Sequence, residues 1–121
     1  MSALNRQAKA REDQLDKVLG ALADGTRRAL VQRLLEGQAR VTDLAEPFGV
    51  SLNAISKHIR VLEQSGLVRR RVDGRIHYIS LAPQALLEAE QWIGTTRKFW
   101  EERFNALESA IQRARQGKQR K

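Results

Sequence analysis

One stretch constrains the fold more than any other: Val50-Ser51-Leu52-Asn53-Ala54-Ile55-Ser56-Lys57-His58-Ile59-Arg60-Val61-Leu62-Glu63-Gln64-Ser65-Gly66. Ile55, Ile59 and Leu62 recur at the 4,3 spacing of one helix face, which predicts a buried stripe. Ser51 supplies an N-cap and Gly66 a helix-ending residue. The remaining face carries Asn53, Ser56, Lys57 and Arg60, which are hydrogen-bonding or cationic. None is a strong nucleophile. A short helix with an apolar back and this front suits a DNA major groove, where Asn and Lys reach base edges and phosphates. The same pattern also describes an ordinary amphipathic helix with a solvated face, so the flanking residues decide.

Upstream, Leu15, Val18, Leu19 and Leu22 recur at i, i+3, i+4, i+7 and predict a short amphipathic helix, preceded by a loosely structured arm over residues 1–14. Asp24 caps a second helix with an apolar stripe of Leu30, Val31, Leu34 and Leu35, ended by Gly37. Arg27 and Arg28 fall in its first turn, against the helix dipole. Thr42 is read as the cap of a third helix, kept short by Pro47 and Gly49. Two helices joined by a short Gly-containing turn form a helix-turn-helix, whose second helix is the reader.

After Gly66 the period changes. Leu67 to Val72 and Arg75 to Leu81 read as strands, with Asp73-Gly74 as a two-residue hairpin turn between them. Arg69, Arg70, Arg71 and Arg75 make this hairpin densely basic. A basic hairpin directly after a reader helix is a wing, expected to lie along the DNA backbone or minor groove.

From Pro83 the pattern is helical again. Leu86, Ile93, Trp100 and Leu107 are spaced by sevens, with Trp92, Thr96, Phe99, Phe104 and Ile111 beside them. So apolar a face in so small a protein is expected to pack against a second copy and the first helix. Residues 83–112 are read as this dimerisation helix, and residues 113–121, cationic and without an acid, as a disordered basic tail.

Composition narrows the partners. The chain has 121 residues with 22 Lys plus Arg against 14 Asp plus Glu, a net charge of +8 that favours a polyanion such as nucleic acid. No cysteine is present, which removes disulfides, thiolate metal sites and thiol redox sensing. No apolar run approaches the roughly 20 residues needed to cross a bilayer, and no signal peptide is visible, so a cytoplasmic protein without membrane contact is expected. There is no Ser-His-Asp set, no Gly-rich phosphate loop and no metal-ligand spacing; no enzyme and no cofactor are expected.

Taken together, these motifs resemble the ArsR/SmtB family of winged-helix repressors over about residues 15–110. Ala21-Leu22-Ala23-Asp24-Gly25-Thr26-Arg27-Arg28 is similar to its opening signature, Leu44 to Phe48 and Ser51 to Glu63 to its helix-turn-helix, and Gly66-Leu67-Val68 with Asp73-Gly74-Arg75-Ile76-His77-Tyr78 to its wing. The resemblance implies a homodimeric transcriptional repressor that contacts DNA through the reader helix and wing and dimerises through its first and last helices. Several positions depart from the family pattern. Arg40 and Thr42 stand where the metal-sensing branch has a cysteine pair, and the two histidines, His58 and His77, lie in the reader helix and wing rather than on the last helix. Gly25 replaces a common proline, and Asn53 stands where relatives often have proline. The resemblance is therefore to a branch without metal ligands, whose members often regulate themselves and neighbouring genes.

The expected fold is mainly α with a small β-hairpin: a winged helix-turn-helix over residues 15–82, with N- and C-terminal dimerisation helices. Expected DNA contacts are Ser51, Asn53, Ala54, Ser56, Lys57, His58, Arg60, Arg71 and Arg75. The expected dimer interface is Leu15, Val18, Leu19, Leu86, Trp92, Ile93, Thr96, Phe99, Trp100, Phe104 and Leu107, with no metal site. The partner is double-stranded DNA, read as a palindromic operator; the sequence identifies neither a small-molecule effector nor the sign of regulation. A low-specificity architectural DNA binder, and a winged helix used for RNA or protein contacts, are the alternatives.

Overall fold

The computed structural model describes residues 2–119. Its elements in order are α1 (Ala3–Leu22), α2 (Gly25–Leu34), β1 (Ala39–Arg40), α3 (Val41–Ala45), a 3-10 turn (Glu46–Phe48), α4 (Leu52–Gln64), β2 (Val68–Asp73), β3 (Ile76–Leu81) and α5 (Pro83–Gln119). The chain divides into two compact units, Met1–Ala89 and Glu90–Lys121.

In the first unit the helices bury the apolar stripes their spacing predicts. Val18, Leu30, Leu34, Leu44, Ile55, Ile59, Leu62, Leu67 and Ile79 form one core, closed by Ala85 and Ala89 from the start of α5. The three strands lie in the order β1-β3-β2, all antiparallel. β1 pairs Ala39 with Ile79 and Arg40 with Tyr78; two residues without periodicity leave no strand pattern to read. The hairpin sits one residue later than expected. Asp73 still pairs with Ile76, so Gly74 and Arg75 form the two-residue loop. Gly74 has φ +62° and Arg75 no positive φ, which suits a turn whose first loop residue alone is left-handed.

Helix ends explain several further departures. α3 begins at Val41 rather than after Thr42, because Arg40, already bound in the sheet, adopts the extended N-cap conformation. Leu35 lies past the end of α2 and is exposed. α1 starts at Ala3, with Ser2 accepting from the Asn5 backbone N–H at 3.2 Å, so the expected arm is helical almost throughout. Of residues 113–121, expected to be disordered, Arg113–Gln119 continues α5; residues 120 and 121 lie outside the described residues. Both stretches lack the apolar stripe by which a helix is recognised, yet neither contains a proline to stop one.

In the second unit the helix presents Trp92, Ile93, Phe99, Trp100, Phe104, Leu107 and Ile111, each largely exposed. Phe99 and Trp100 meet edge to face at 6.4 Å, and the Arg103 guanidinium lies 4.7 Å from the Phe99 ring centroid. Arg97 pairs with Glu101 at 3.3 Å, and the half-buried Thr96 donates its hydroxyl to the Trp92 carbonyl at 2.9 Å.

Candidate nucleic-acid interface

The reader helix is held at both ends. Ser51 Oγ accepts from the Ala54 N–H at 3.1 Å, and the Ile55 N–H reaches the Ser51 carbonyl. At the other end Gly66 takes φ +81°, while its N–H reaches the Glu63 carbonyl and the Leu67 N–H reaches the Leu62 carbonyl, each at 3.0 Å. This paired closure needs a left-handed residue, which only glycine supplies without strain. Gln14 of α1 donates to the Ser65 carbonyl, tying the first helix to the same end.

With Ile55, Ile59 and Leu62 buried, Asn53, Ser56, Lys57 and Arg60 fall on the opposite stripe at i, i+3, i+4, i+7. Asn53, Lys57 and Arg60 are exposed; Ser56 and Ala54 are half-buried. Among the described residues neither Lys57 nor Arg60 pairs with a carboxylate. Ser51 is committed to its cap.

His58 does not join this face. It turns towards α2, with Nδ1 3.3 Å from Arg27 Nη1 and 3.9 Å from Asp24 Oδ2. Two residues beyond Ser56, it sits about 200° round the helix from that serine, on the flank of the core. Its ring lies between α2 and α4, against Arg27 and Asp24.

The wing divides its arginines by strand parity. Arg69 and Arg71 share a face with Ser80 and Tyr78, and Arg71 stacks on the Tyr78 ring at 4.3 Å. Arg70 shares the other face with Ile79 and is bound to Glu63 and His77. Arg75 stands exposed in the loop.

Between the start of α3, the first turns of α4 and the wing runs an open cleft of about 430 Å³. Arg40, Val41, Thr42, Leu52, Ser56, Arg70, Arg75, Ile76 and His77 line it. Arg40 grips Asp43 at 3.0 and 3.2 Å, which holds the Asp43 carboxyl below its ordinary range. Thr42, read from the sequence only as a helix cap, also lines this cleft from the start of α3. The rim of the cleft is cationic, with hydroxyls from Thr42 and Ser56. Among the described residues no three His, Asp or Glu side chains converge as a metal site.

On the expected dimer face the residues separate. Leu19, Trp92, Ile93, Phe99, Trp100, Phe104 and Leu107 are exposed, while Leu15 and Leu86 pack partly on the core. Val18 is 2% exposed within its own unit and has no surface left for a partner. Its helical spacing from Leu15 and Ala21 turns it inward.

Comparison with known proteins bears on this geometry. Residues 22–71 match a family described as a helix-turn-helix domain. The HTH-type transcriptional regulator Rv2034 of Mycobacterium tuberculosis is 44% identical over 71 residues, a match covering 59% of this chain and 66%, just under two thirds, of that protein. The transcriptional repressor SdpR of Bacillus subtilis is 30% identical over 79 residues, covering 65% of this chain and 88% of that one. Among solved structures, the ArsR family transcriptional regulator RHA00566 superposes with a TM-score of 0.71 at 38% identity, over 74% of this chain and 93% of its own. The homodimeric winged helix-turn-helix domain of Mb0332 from Mycobacterium bovis, a possible ArsR-family regulator, superposes with a TM-score of 0.64 at 28% identity, over 82% and 94%. The cap-to-glycine reader helix, the wing and these relatives agree: the chain belongs to the ArsR/SmtB family of winged helix-turn-helix, DNA-binding transcriptional regulators.

Proposed function

We propose that the protein is a cytoplasmic, homodimeric repressor that reads a palindromic operator and does not sense metal. The observation that carries this reading is the outward stripe of α4, where Asn53, Ser56, Lys57 and Arg60 are free of carboxylates and lie opposite a fully buried stripe. In this reading the N-terminal half of α4 enters the major groove. Asn53 pairs with adenine and Lys57 with guanine or a phosphate. Arg75 and Arg71 from the wing, with Arg60 and Thr42, grip the backbone, and the net charge of +8 adds long-range attraction. A two-fold dimer sets two readers about one helical turn apart, so the operator repeats its half-site in inverted order. Bound there, the dimer occludes the promoter. The absence of cysteine and the positions of the two histidines, one against Arg27 and one against Arg70, support a regulator without a metal trigger.

Selection of bound duplexes from a random pool, followed by Asn53→Ala and Lys57→Ala binding to operator and scrambled DNA, tests the reading. Each substitution is expected to cost about 1–3 kcal/mol at one operator position and to relax preference there. If both leave the operator-to-scrambled ratio unchanged, α4 is not the reader and a low-specificity binder describes the protein better.

A further inference from the structure

Four arginines crowd the wing, and a phosphate-gripping role for all of them is the simplest expectation. Strand parity argues against it for one. β2 pairs with β3 so that Val68, Arg70 and Val72 share a face with Leu81, Ile79 and His77. This is the core side at its base, where Val68 and Ile79 are buried. A cation on that side must find a partner for its head group while its stem lies along the protein.

Arg70 finds partners from two elements. Its Nε lies 3.1 and 3.2 Å from the two carboxylate oxygens of Glu63, and Nη2 also contacts Glu63. Its Nη1 lies 3.0 Å from Nδ1 of His77 on β3. Glu63 stands in the last turn of α4, so the guanidinium bridges reader helix and wing. The Arg70 and Glu63 side chains keep 28% and 29% exposure at this bridge. Glu63 also holds the Arg70 guanidinium more firmly protonated.

We propose that Arg70 is a positioning residue rather than a DNA contact: the Glu63–Arg70–His77 bridge sets the angle of the wing against the reader helix. Specificity depends on that angle, because base edges and backbone must be met together. A forked guanidinium holding a carboxylate by several hydrogen bonds fixes direction as well as distance, which a lysine would not. The glutamate has a second consequence. It occupies the charge of Arg70, so the wing presents one fewer cation to DNA than its sequence suggests.

This inference rests on the DNA-reading assignment, and the test separates the two. Binding of full-length wild type, Arg70→Gln, Glu63→Gln, the double variant and Arg75→Gln is measured on selected operator and on scrambled duplex across a salt series. Loss of a phosphate contact lowers the slope of log K against log salt by about 0.9. Arg75→Gln is expected to do that and leave the operator-to-scrambled ratio intact. Arg70→Gln is expected to leave the slope unchanged and lower the ratio about tenfold. Glu63→Gln should lower the ratio equally without lowering the slope, since it releases a cation. The double variant should be no worse than either single one, the signature of residues acting as a unit.

Thermal melting checks each variant. Should Arg70→Gln fail to fold, Glu63→Gln, which keeps shape and the arginine stem, carries the same comparison. A slope lowered by about one with the ratio intact in Arg70→Gln makes Arg70 an ordinary phosphate contact and overturns the bridge. Additive losses in the double variant, or single variants indistinguishable from wild type, overturn it too. Wild type that lacks operator preference removes the DNA reading and the bridge with it; where wild type keeps its preference, any of the overturning results above removes the bridge alone.

Discussion

At the scale of single residues, the two arginines that stand against their own helix dipole turn out to serve another helix. Arg27 Nε donates to the Ala21 carbonyl at 2.7 Å and Nη2 to the Gly20 carbonyl at 3.2 Å; Arg28 Nη1 donates to the Leu22 carbonyl at 2.8 Å. These are the last carbonyls of α1, where a cation is favoured and where orphan acceptors need donors. The sequence alone shows only the unfavourable half of that arrangement, since the angle at which α1 meets α2 is a tertiary fact. Asp24 sits at the same corner. Its side chain accepts from the Arg27 N–H at 3.0 Å, and this bond, aided by the Arg27 and His58 charges and opposed by desolvation, holds its carboxyl below the ordinary range. A lowered folded-state value means stability that is fully present above the unfolded value, about 3.9, and is lost as pH falls through the folded one. Asparagine caps as well as aspartate but does not titrate there. Asp24→Asn is therefore expected to melt near wild type at neutral pH and to lose less stability on acidification to about pH 3. Parallel acid slopes for the two proteins in a melting series would count against this account of the corner.

Among the elements, α4 was legible almost residue by residue, and α5 only in part. A buried stripe and two terminal signals define α4, and all of them are local: Ser51 caps, Ile55, Ile59 and Leu62 bury, Gly66 closes. The outer turns of α1 and α5 bury nothing within their units, so periodicity has nothing to report. His58, an expected DNA contact, and Arg70 both take intramolecular partners that the sequence does not show, for a related reason. Their charge is visible in the sequence, but the partner that absorbs it comes from a different element. Helix position and strand parity did contain the hint, once the core side of each was known. The cap on α4 is open to a direct check. Ser51→Ala leaves the Ala54 N–H without its acceptor and is expected to cost about 1 kcal/mol of stability. Ser51→Asp, which also caps, should restore the melting temperature while placing a negative charge at the DNA face, so its binding should fall although its fold recovers. A variant that melts normally as alanine would mean the cap contributes nothing.

For the whole molecule, the exposed face of the second unit requires an explanation that one chain does not supply. Trp100, Phe104 and Leu107 are 66%, 65% and 60% exposed, and they adjoin Trp92, Ile93 and Phe99. A contiguous apolar patch of this kind marks an interaction surface. The homodimer proposed above covers it with the same face of a second copy, as an isologous interface requires. Stability should then depend on protein concentration, because association couples to folding by mass action. Dilution is expected to lower the melting temperature of wild type. Trp100→Ala removes a side chain that contacts little in a single chain, so any large effect must come through the partner. If the site becomes core-like on pairing, the substitution costs about 3–5 kcal/mol. At about 1.4 kcal/mol per factor of ten, the dimer dissociation constant then rises by at least about a hundredfold. The variant should run as a monomer in light scattering at micromolar concentration, keep its helical circular dichroism, and bind a single half-site with little added affinity for the palindrome. A wild-type protein that remains monomeric at micromolar concentration, or a Trp100→Ala variant that dimerises as tightly as wild type, would move the interface elsewhere and leave the aromatic face for a different partner.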